Sequence, residues 1–281
     1  GIRRVIAAAQ QAKEKGLSVV AGTQRRHQNH YREIIRRVQD GAIGEIVSAQ
    51  CYWNMGELWL EEAKANWEAR QSKGWSDMEY QCRNWLFFTW LSGDHVCEQH
   101  VHNLDIIQWA LGANPIQAMG VGGRAARTEP QYGNIFDHFA VEYEYPNGVR
   151  LSSMCKQMKG SAFVVAERLV GTKGQTYTDG SGGCITGPAA YKYDGPNPNP
   201  YYQEHADLIR SIREGKPLAE GVAVAESTMV AIVGRMSTYT GRQVKWDWAM
   251  RASKLDLRPP KYAFGPLPEQ VVAVPGKTPL V

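Results

Sequence analysis

From about residue 116 to residue 178 the chain reads as successive β-strands joined by tight turns, and no other part of it restricts the fold as much. Ile135 to Tyr145 alternates, with Phe139, Val141, Tyr143 and Tyr145 on one face and His138, Glu142 and Glu144 on the other, the two-residue period of a strand with one buried side. Pro146-Asn147-Gly148 then signals a hairpin into Val149 to Gln157. Further strands are predicted at 163 to 170 and 175 to 178, around the turn Gly171-Thr172-Lys173-Gly174. Consecutive strands joined by turns pair antiparallel, so the expected fold class is α+β: an open, mainly antiparallel β-sheet with helices on one face. Both alternating sets contain apolar residues, Ala140 beside Val141 and Met154 beside Cys155. An antiparallel sheet leaves a face to water only where that face is polar. The helix-free face is therefore expected to bury against a second copy, as a homodimer or homotetramer.

The remaining segments are less regular. Residues 3 to 15 have helical periodicity that ends at Gly16, and Leu17 to Gly22 reads as a short buried strand. A helix feeding such a strand is half of an α/β unit, yet the chain contains no G-x-G-x-x-G loop to accompany it. A helix is predicted from His30 to Val38 and a strand from Ile46 to about Trp53. The stretch 54 to 92 holds Trp59, Trp67, Trp75, Trp85 and Trp90 without a clean period and is expected to be a long irregular insertion, either a packed surface loop or a wall of a substrate cleft. A Gly- and Pro-rich loop at 179 to 200 precedes helices near 201 to 214 and 221 to 240. The tail from 257 contains six prolines, from Pro259 to Pro279, and should run as an extended arm.

Composition excludes several classes. With 281 residues, of which 43% are hydrophobic, the chain can bury a substantial core. A net charge of +4, with basic and acidic residues interspersed, gives no nucleic-acid-binding stripe. No apolar run approaches the ~20 residues that span a bilayer, so a soluble protein without membrane partners is expected, in a compartment that composition does not specify. The cysteines at 51, 82, 97, 155 and 184 form no C-x-x-C pair and are odd in number, which argues for reduced thiols over a disulfide framework or structural zinc.

The chemistry concentrates in Gly93 to Asp105. Glu98, His102 and Asp105 are spaced by four and seven, and at ~3.6 residues per turn they project from one face of a helix that runs on to Gly112. An imidazole stacked with carboxylates suits proton transfer to or from a substrate hydroxyl. His95, Glu98 and His102 also permit a metal reading, but the spacing is not H-E-x-x-H, and no metal is expected.

These segments together resemble the Gfo/Idh/MocA family of nicotinamide-dependent oxidoreductases, mostly sugar and polyol dehydrogenases. Val19-Val20-Ala21-Gly22-Thr23-Gln24-Arg25-Arg26 is similar to the last Rossmann strand of that family and the arginine-bearing loop after it. Asp40-Gly41-Ala42-Ile43-Gly44-Glu45-Ile46 resembles the G-x-I-G-x-I entry to its second domain, and Gly93 to Gly112 its G-G-x-x-x-D-x-G-x-H-x-x-D helix. The resemblance implies residues 1–28 as a remnant of the dinucleotide-binding domain, 29–256 as the substrate-binding and oligomerisation domain, and 257–281 as the arm. It also implies His102 and Glu98 as catalytic residues, Asp105, Arg25, Asn54 and Lys156 as substrate-binding, and Gln24 and Arg25 at the cofactor. Glu98 replaces the family's Asp, and His100 stands where glycine is usual. The family's E-K-P motif and dinucleotide fingerprint are absent. NAD or NADP is therefore expected in a complete enzyme acting on a hydroxyl of a sugar, glycoside or polyol, with no tight binding by this chain alone. Two further readings are a redox-neutral glycoside lyase or hydrolase working through a transient keto-sugar with bound NAD, and a non-catalytic sugar-binding or assembly module. Sheet-to-sheet assembly is common in this family as well.

Overall fold

The computed structural model describes residues 1–281. Its strands are β1 (Ile46–Met55), β2 (Gln117–Gly123), β3 (His138–Glu144), β4 (Arg150–Gln157), β5 (Val164–Gly171), β6 (Gln175–Asp179), β7 (Gly182–Thr186), β8 (Tyr191–Lys192) and β9 (Val244–Lys245). They join into one sheet in the order β8-β7-β6-β5-β1-β4-β3-β2-β9. Only β1 and β4 run parallel; every other pairing is antiparallel. The α+β class with a mainly antiparallel open sheet is thus as the strand pattern requires. At the β3–β4 hairpin, Asn147 and Gly148 both take positive φ (64° and 77°), a conformation these two residues tolerate best. Phe139, Val141 and Tyr143 turn inward as the alternation predicts.

Helices α1 (Ile2–Glu14), α2 (Asn29–Gln39), α3 (Leu60–Ser72), α4 (Asp77–Arg83), α5 (Thr89–Ser92), α6 (His95–Glu98), α7 (Val101–Leu111), α8 (Pro200–Arg213), α9 (Gly221–Thr240) and α10 (Trp246–Arg251) complete the fold. None is long and apolar enough to cross a membrane. The main core lies between the sheet and α2, α7 and α9, and includes Ile34, Ile35, Cys51, Leu104, Ile107, Tyr143, Leu151 and Val233. Helix α9 sits unusually close to the sheet. A Cβ at Gly234 would lie 2.0 Å from the Tyr143 hydroxyl, which donates to the Val230 carbonyl at 3.1 Å.

Four expectations are corrected. Leu17 to Gly22 is not a buried strand: Leu17 is 53% exposed and pairing is confined to one parallel bridge between Val19 and Ala219, because no second parallel strand among residues 1–281 flanks it. The stretch 54 to 92 is largely helical rather than irregular. The apolar side chains of α3 spread around the helix instead of forming a stripe, which hides the helical period, and aromatic contacts such as Trp67–Tyr80 and Tyr80–Phe88 hold the segment together. Residues 179 to 200 contain β7 and β8, masked by the glycines of Gly182-Gly183-Cys184 and by the brevity of β8. Finally, Gly93 to Gly112 is two helices, α6 and α7. The tail crosses the surface without regular structure, held where Leu267 N–H donates to Asp77, Asn134 to the Val271 carbonyl and Gly276 N–H to the Thr240 carbonyl.

A buried histidine joins the 3₁₀ turn Gln24–His27 to the C-terminal helices. His27 Nδ1 lies 2.8 Å from Asp207 of α8 and Nε2 3.3 Å from Glu220 at the start of α9. Arg32 reaches the same Asp207 oxygen at 2.6 Å. Burial pulls the His27 pKa down, but hydrogen bonds to Glu220 and Asp207 outweigh it and leave the pKa raised.

Gly234→Ala should force α9 off Tyr143 and cost about 1–3 kcal/mol of stability, read as a lower urea midpoint. For His27 the folded-state pKa exceeds the unfolded one, so its contribution is fully present below about pH 6.5 and is lost as pH rises through the folded value. His27→Ala should therefore cost about 3 kcal/mol at pH 6, and the gap from wild type should narrow toward pH 9 in parallel denaturation curves.

Candidate active site

The site is built where the one parallel pair of strands ends beside the break between α6 and α7. His102 N–H bonds the Gln99 carbonyl and His100 N–H the His95 carbonyl, so the α-helical ladder does not run through Glu98. Two side chains hold the break open. Gln99 accepts from Gln157 Nε2 at 2.7 Å, and Gln157 accepts in turn from the buried Arg127. The His100 ring enters the core, with Nε2 2.7 Å from the Ser153 hydroxyl; burial lowers its pKa to about 3 and keeps it neutral. A spacing of four residues therefore does not stack Glu98 on His102 through one continuous helix.

Both residues nonetheless carry reactive features. The His102 ring lies 5.9 Å from the Trp53 indole, centroid to centroid. Its Nδ1 is buried and without a hydrogen-bond partner. Burial and the nearby Arg25 charge lower its pKa to about 4, with Asp105 opposing. At neutral pH it is an uncharged imidazole, able to accept a proton. Glu98 has one buried oxygen without a partner, and burial raises its pKa. Burial thus favours the neutral form of both groups, and each keeps unmet hydrogen-bonding capacity, an environment typical of residues that bind or exchange protons with a substrate.

Behind them is Glu167, fully buried on β5. It accepts from Arg25, from Tyr31 of α2 at 3.0 Å, from Asn103 of α7 at 2.6 Å and from Thr178 of β6 at 2.8 Å. Burial raises its carboxyl pKa and the Arg25 charge counters that. The Arg25 guanidinium also faces the Trp53 ring, 5.3 Å from its centroid.

Several residues expected at the site lie elsewhere. Arg25, expected to line the cleft and touch the cofactor, is 6% exposed and its charge is committed to Glu167. Gln24, the other cofactor residue, is also buried and donates to the Tyr201 hydroxyl at 3.4 Å. Asp105 is buried, with both oxygens 2.8 Å from Arg26 and a further bond from Ser227 at 2.6 Å. It fastens α7 to the 3₁₀ turn and to α9 and keeps no oxygen for a substrate. Asn54 and Lys156 are paired neighbours in the β1–β4 register, one position out of step with Trp53 and Gln157. The two-residue period puts them on the helix-free face, across the sheet from His102. No group of three His, Cys, Asp or Glu side chains is arranged to hold a metal.

The sequence reading noted His100 only as standing where glycine is usual and missed Trp53, Asn103 and Glu167. Glu167 had a visible signal, a lone carboxylate inside the apolar run Val164-Val165-Ala166-Glu167-Arg168-Leu169-Val170. Trp53 could have been placed by continuing the buried alternation of Ala49 and Cys51 along β1.

Residues 31–177 match the sequence model of the GFO/IDH/MocA C-terminal domain. The 2,7-anhydro-N-acetylneuraminate hydratase of Escherichia coli (strain K12) is 30% identical over 171 residues, 59% of this chain and 39% of that protein. The chain thus spans well under half the length of this curated relative. Among solved structures, the aldose-aldose oxidoreductase of Caulobacter crescentus superposes with a TM-score of 0.65 at 18% identity, over 87% of this chain and 68% of that one. The myo-inositol 2-dehydrogenase of Lactobacillus plantarum gives 0.57 at 19% identity, over 80% and 63%. These two likenesses concern the fold alone. Since the matched domain covers more than half of the 281 residues, and strands β1 to β5 and the motif-bearing α6–α7 segment lie within it, the chain belongs to the GFO/IDH/MocA family.

Proposed function

We propose that this chain carries the substrate-binding and proton-handling part of a nicotinamide-dependent oxidoreductase acting on a hydroxyl of a sugar, glycoside or polyol. The observation that carries this reading is the pair His102 and Glu98, half-buried side chains that each keep a buried atom without a hydrogen-bond partner, with the Trp53 ring against His102. His102, neutral at physiological pH, takes the proton of the reacting hydroxyl. Glu98 holds a neighbouring hydroxyl, and the Trp53 indole supplies an apolar face of the kind on which sugar rings stack. The residues present do not fit a whole dinucleotide. There is no glycine-rich turn opening a helix, Val19 has a single bridge in place of a parallel sheet, and Gln24 and Arg25 are engaged by Tyr201 and Glu167. In this proposal the chain contributes sugar binding and proton transfer, while the nicotinamide is held by residues other than these.

A second reading is a redox-neutral conversion on the same site, favoured by one finding: the Escherichia coli relative is named a hydratase, and hydration leaves the overall oxidation state unchanged. Incubation of the complete enzyme with a panel of sugars, polyols and anhydro-sugars separates the two. Net NAD(P)H formation supports the first, and a product at the oxidation state of its substrate supports the second.

The helix-free face is proposed to bury against a second copy. Val121, Ala140, Met154 and Tyr52 lie in register across four strands and form an apolar row, with Val121 70% and Met154 42% exposed. A row of this kind on a free monomer is unfavourable.

His102→Ala should leave folding near normal and lower turnover ~10²-fold or more. Glu98→Ala should act more on KM than on kcat. Because the His102 pKa is depressed, the oxidation rate should not fall as pH drops through 6.5, where an ordinary imidazole would protonate; steady-state pH profiles check this. Light scattering at micromolar concentration should give a dimer or tetramer, and Val121→Glu with Met154→Lys should shift it to monomer.

A further inference from the structure

The buried Arg25–Glu167 pair is more than the fold requires. Replacing a buried ion pair by apolar side chains is often neutral or stabilising, yet here two charges are sunk beside the one histidine that faces the site. The geometry runs through contiguous contacts. Glu167 Oε1 accepts from both Arg25 and Asn103. Arg25 faces the Trp53 ring at 5.3 Å, Trp53 packs on His102 at 5.9 Å, and Asn103 is the residue after His102 on α7. One carboxylate therefore controls both the cation behind the indole and the backbone that carries the imidazole.

We propose that the Arg25–Glu167 pair is a positioning element for His102, holding a fixed positive charge against the indole on which that ring rests and locking the start of α7. This rests on the reading of His102 as the proton acceptor. The charged groups facing His102 are Arg25 from the 3₁₀ turn, with Glu167 of β5 behind it, and Asp105 of its own helix, already tied to Arg26. Of the two charges in the pair, Arg25 disfavours a protonated His102 and Glu167 partly masks Arg25. Removing either one should move the imidazole in a predictable direction.

The test is a side-chain NMR titration of His102 in the full chain, independent of turnover. Arg25→Gln keeps a donor for Glu167 but removes the cation, and the His102 midpoint should rise by about one pH unit or more. Glu167→Gln removes the masking anion, and the midpoint should stay at or below the wild-type value. General loosening of the site would instead raise both midpoints toward 6.5. If Glu167→Gln does not fold, the double variant Arg25→Met with Glu167→Gln buries no charge, and its midpoint should lie above wild type but below that of Arg25→Gln, where the Glu167 anion is left uncompensated. A wild-type midpoint in Arg25→Gln or in the double variant, or a raised midpoint in Glu167→Gln, overturns the proposal. Unimpaired turnover in His102→Ala would instead remove the catalytic reading and leave the titration result standing.

Discussion

The buried carboxylate of Glu167 is the interaction on which the rest of the site depends. A charge this far from water is tolerable only if its oxygens are saturated by donors. Those donors come from four separate places in the chain: Arg25 in the turn after α1, Tyr31 in α2, Asn103 in α7 and Thr178 in β6. Meeting the needs of one side chain thus fixes the position of four other segments relative to β5. Asp105 repeats the device two residues further along α7, binding Arg26 and Ser227. His27 does so again, between α8 and α9. The segment 23–32 is held less by apolar packing than by this series of charge-assisted contacts. Directional contacts of that kind place a neighbouring imidazole more accurately than a hydrophobic seam would.

The fold was legible where local periodicity and global burial agree. The alternation of β3 and the Pro146-Asn147-Gly148 turn predicted both the strand and the face it buries, because one side of that sheet is helix-covered. Legibility failed where a segment buries all its faces or none. Helix α3 has no apolar stripe to reveal it, and Leu17 to Gly22 has strand-forming side chains but no strands on which to use them. The break between α6 and α7 was hidden for a different reason. It is imposed by tertiary bonds of Gln99 and His100 to β4, and a helical spacing of four carries no information about them.

The same limit applies to the candidate site. His102 and Glu98 are proposed from residue type and spacing, since acid–base chemistry calls for an imidazole and a carboxyl in one site. Assigning Asp105 and Arg25 to substrate failed because both are more strongly claimed by partners 79 and 142 residues away. A charged residue in a motif is recognisable from sequence; which opposite charge consumes it is not. Asn54 and Lys156 lie one step of the strand period away from Trp53 and Gln157, and that step puts a side chain on the opposite face of the sheet.

That single step bears on how β1 can change over evolutionary time. Trp53 contributes to the site and its neighbours Tyr52 and Asn54 to the exposed sheet face, while pairing to β4 and β5 fixes the strand on both sides. Point substitutions can adjust one surface without touching the other. Gain or loss of one residue inside the strand would exchange the two sets of side chains, placing the indole outside and an amide against the imidazole. Length variation in this part of related chains should therefore collect in the segments after Met55 and before Ser48, where the pairing to β5 already slips, with the positions from Ser48 to Met55 inherited as an indivisible block.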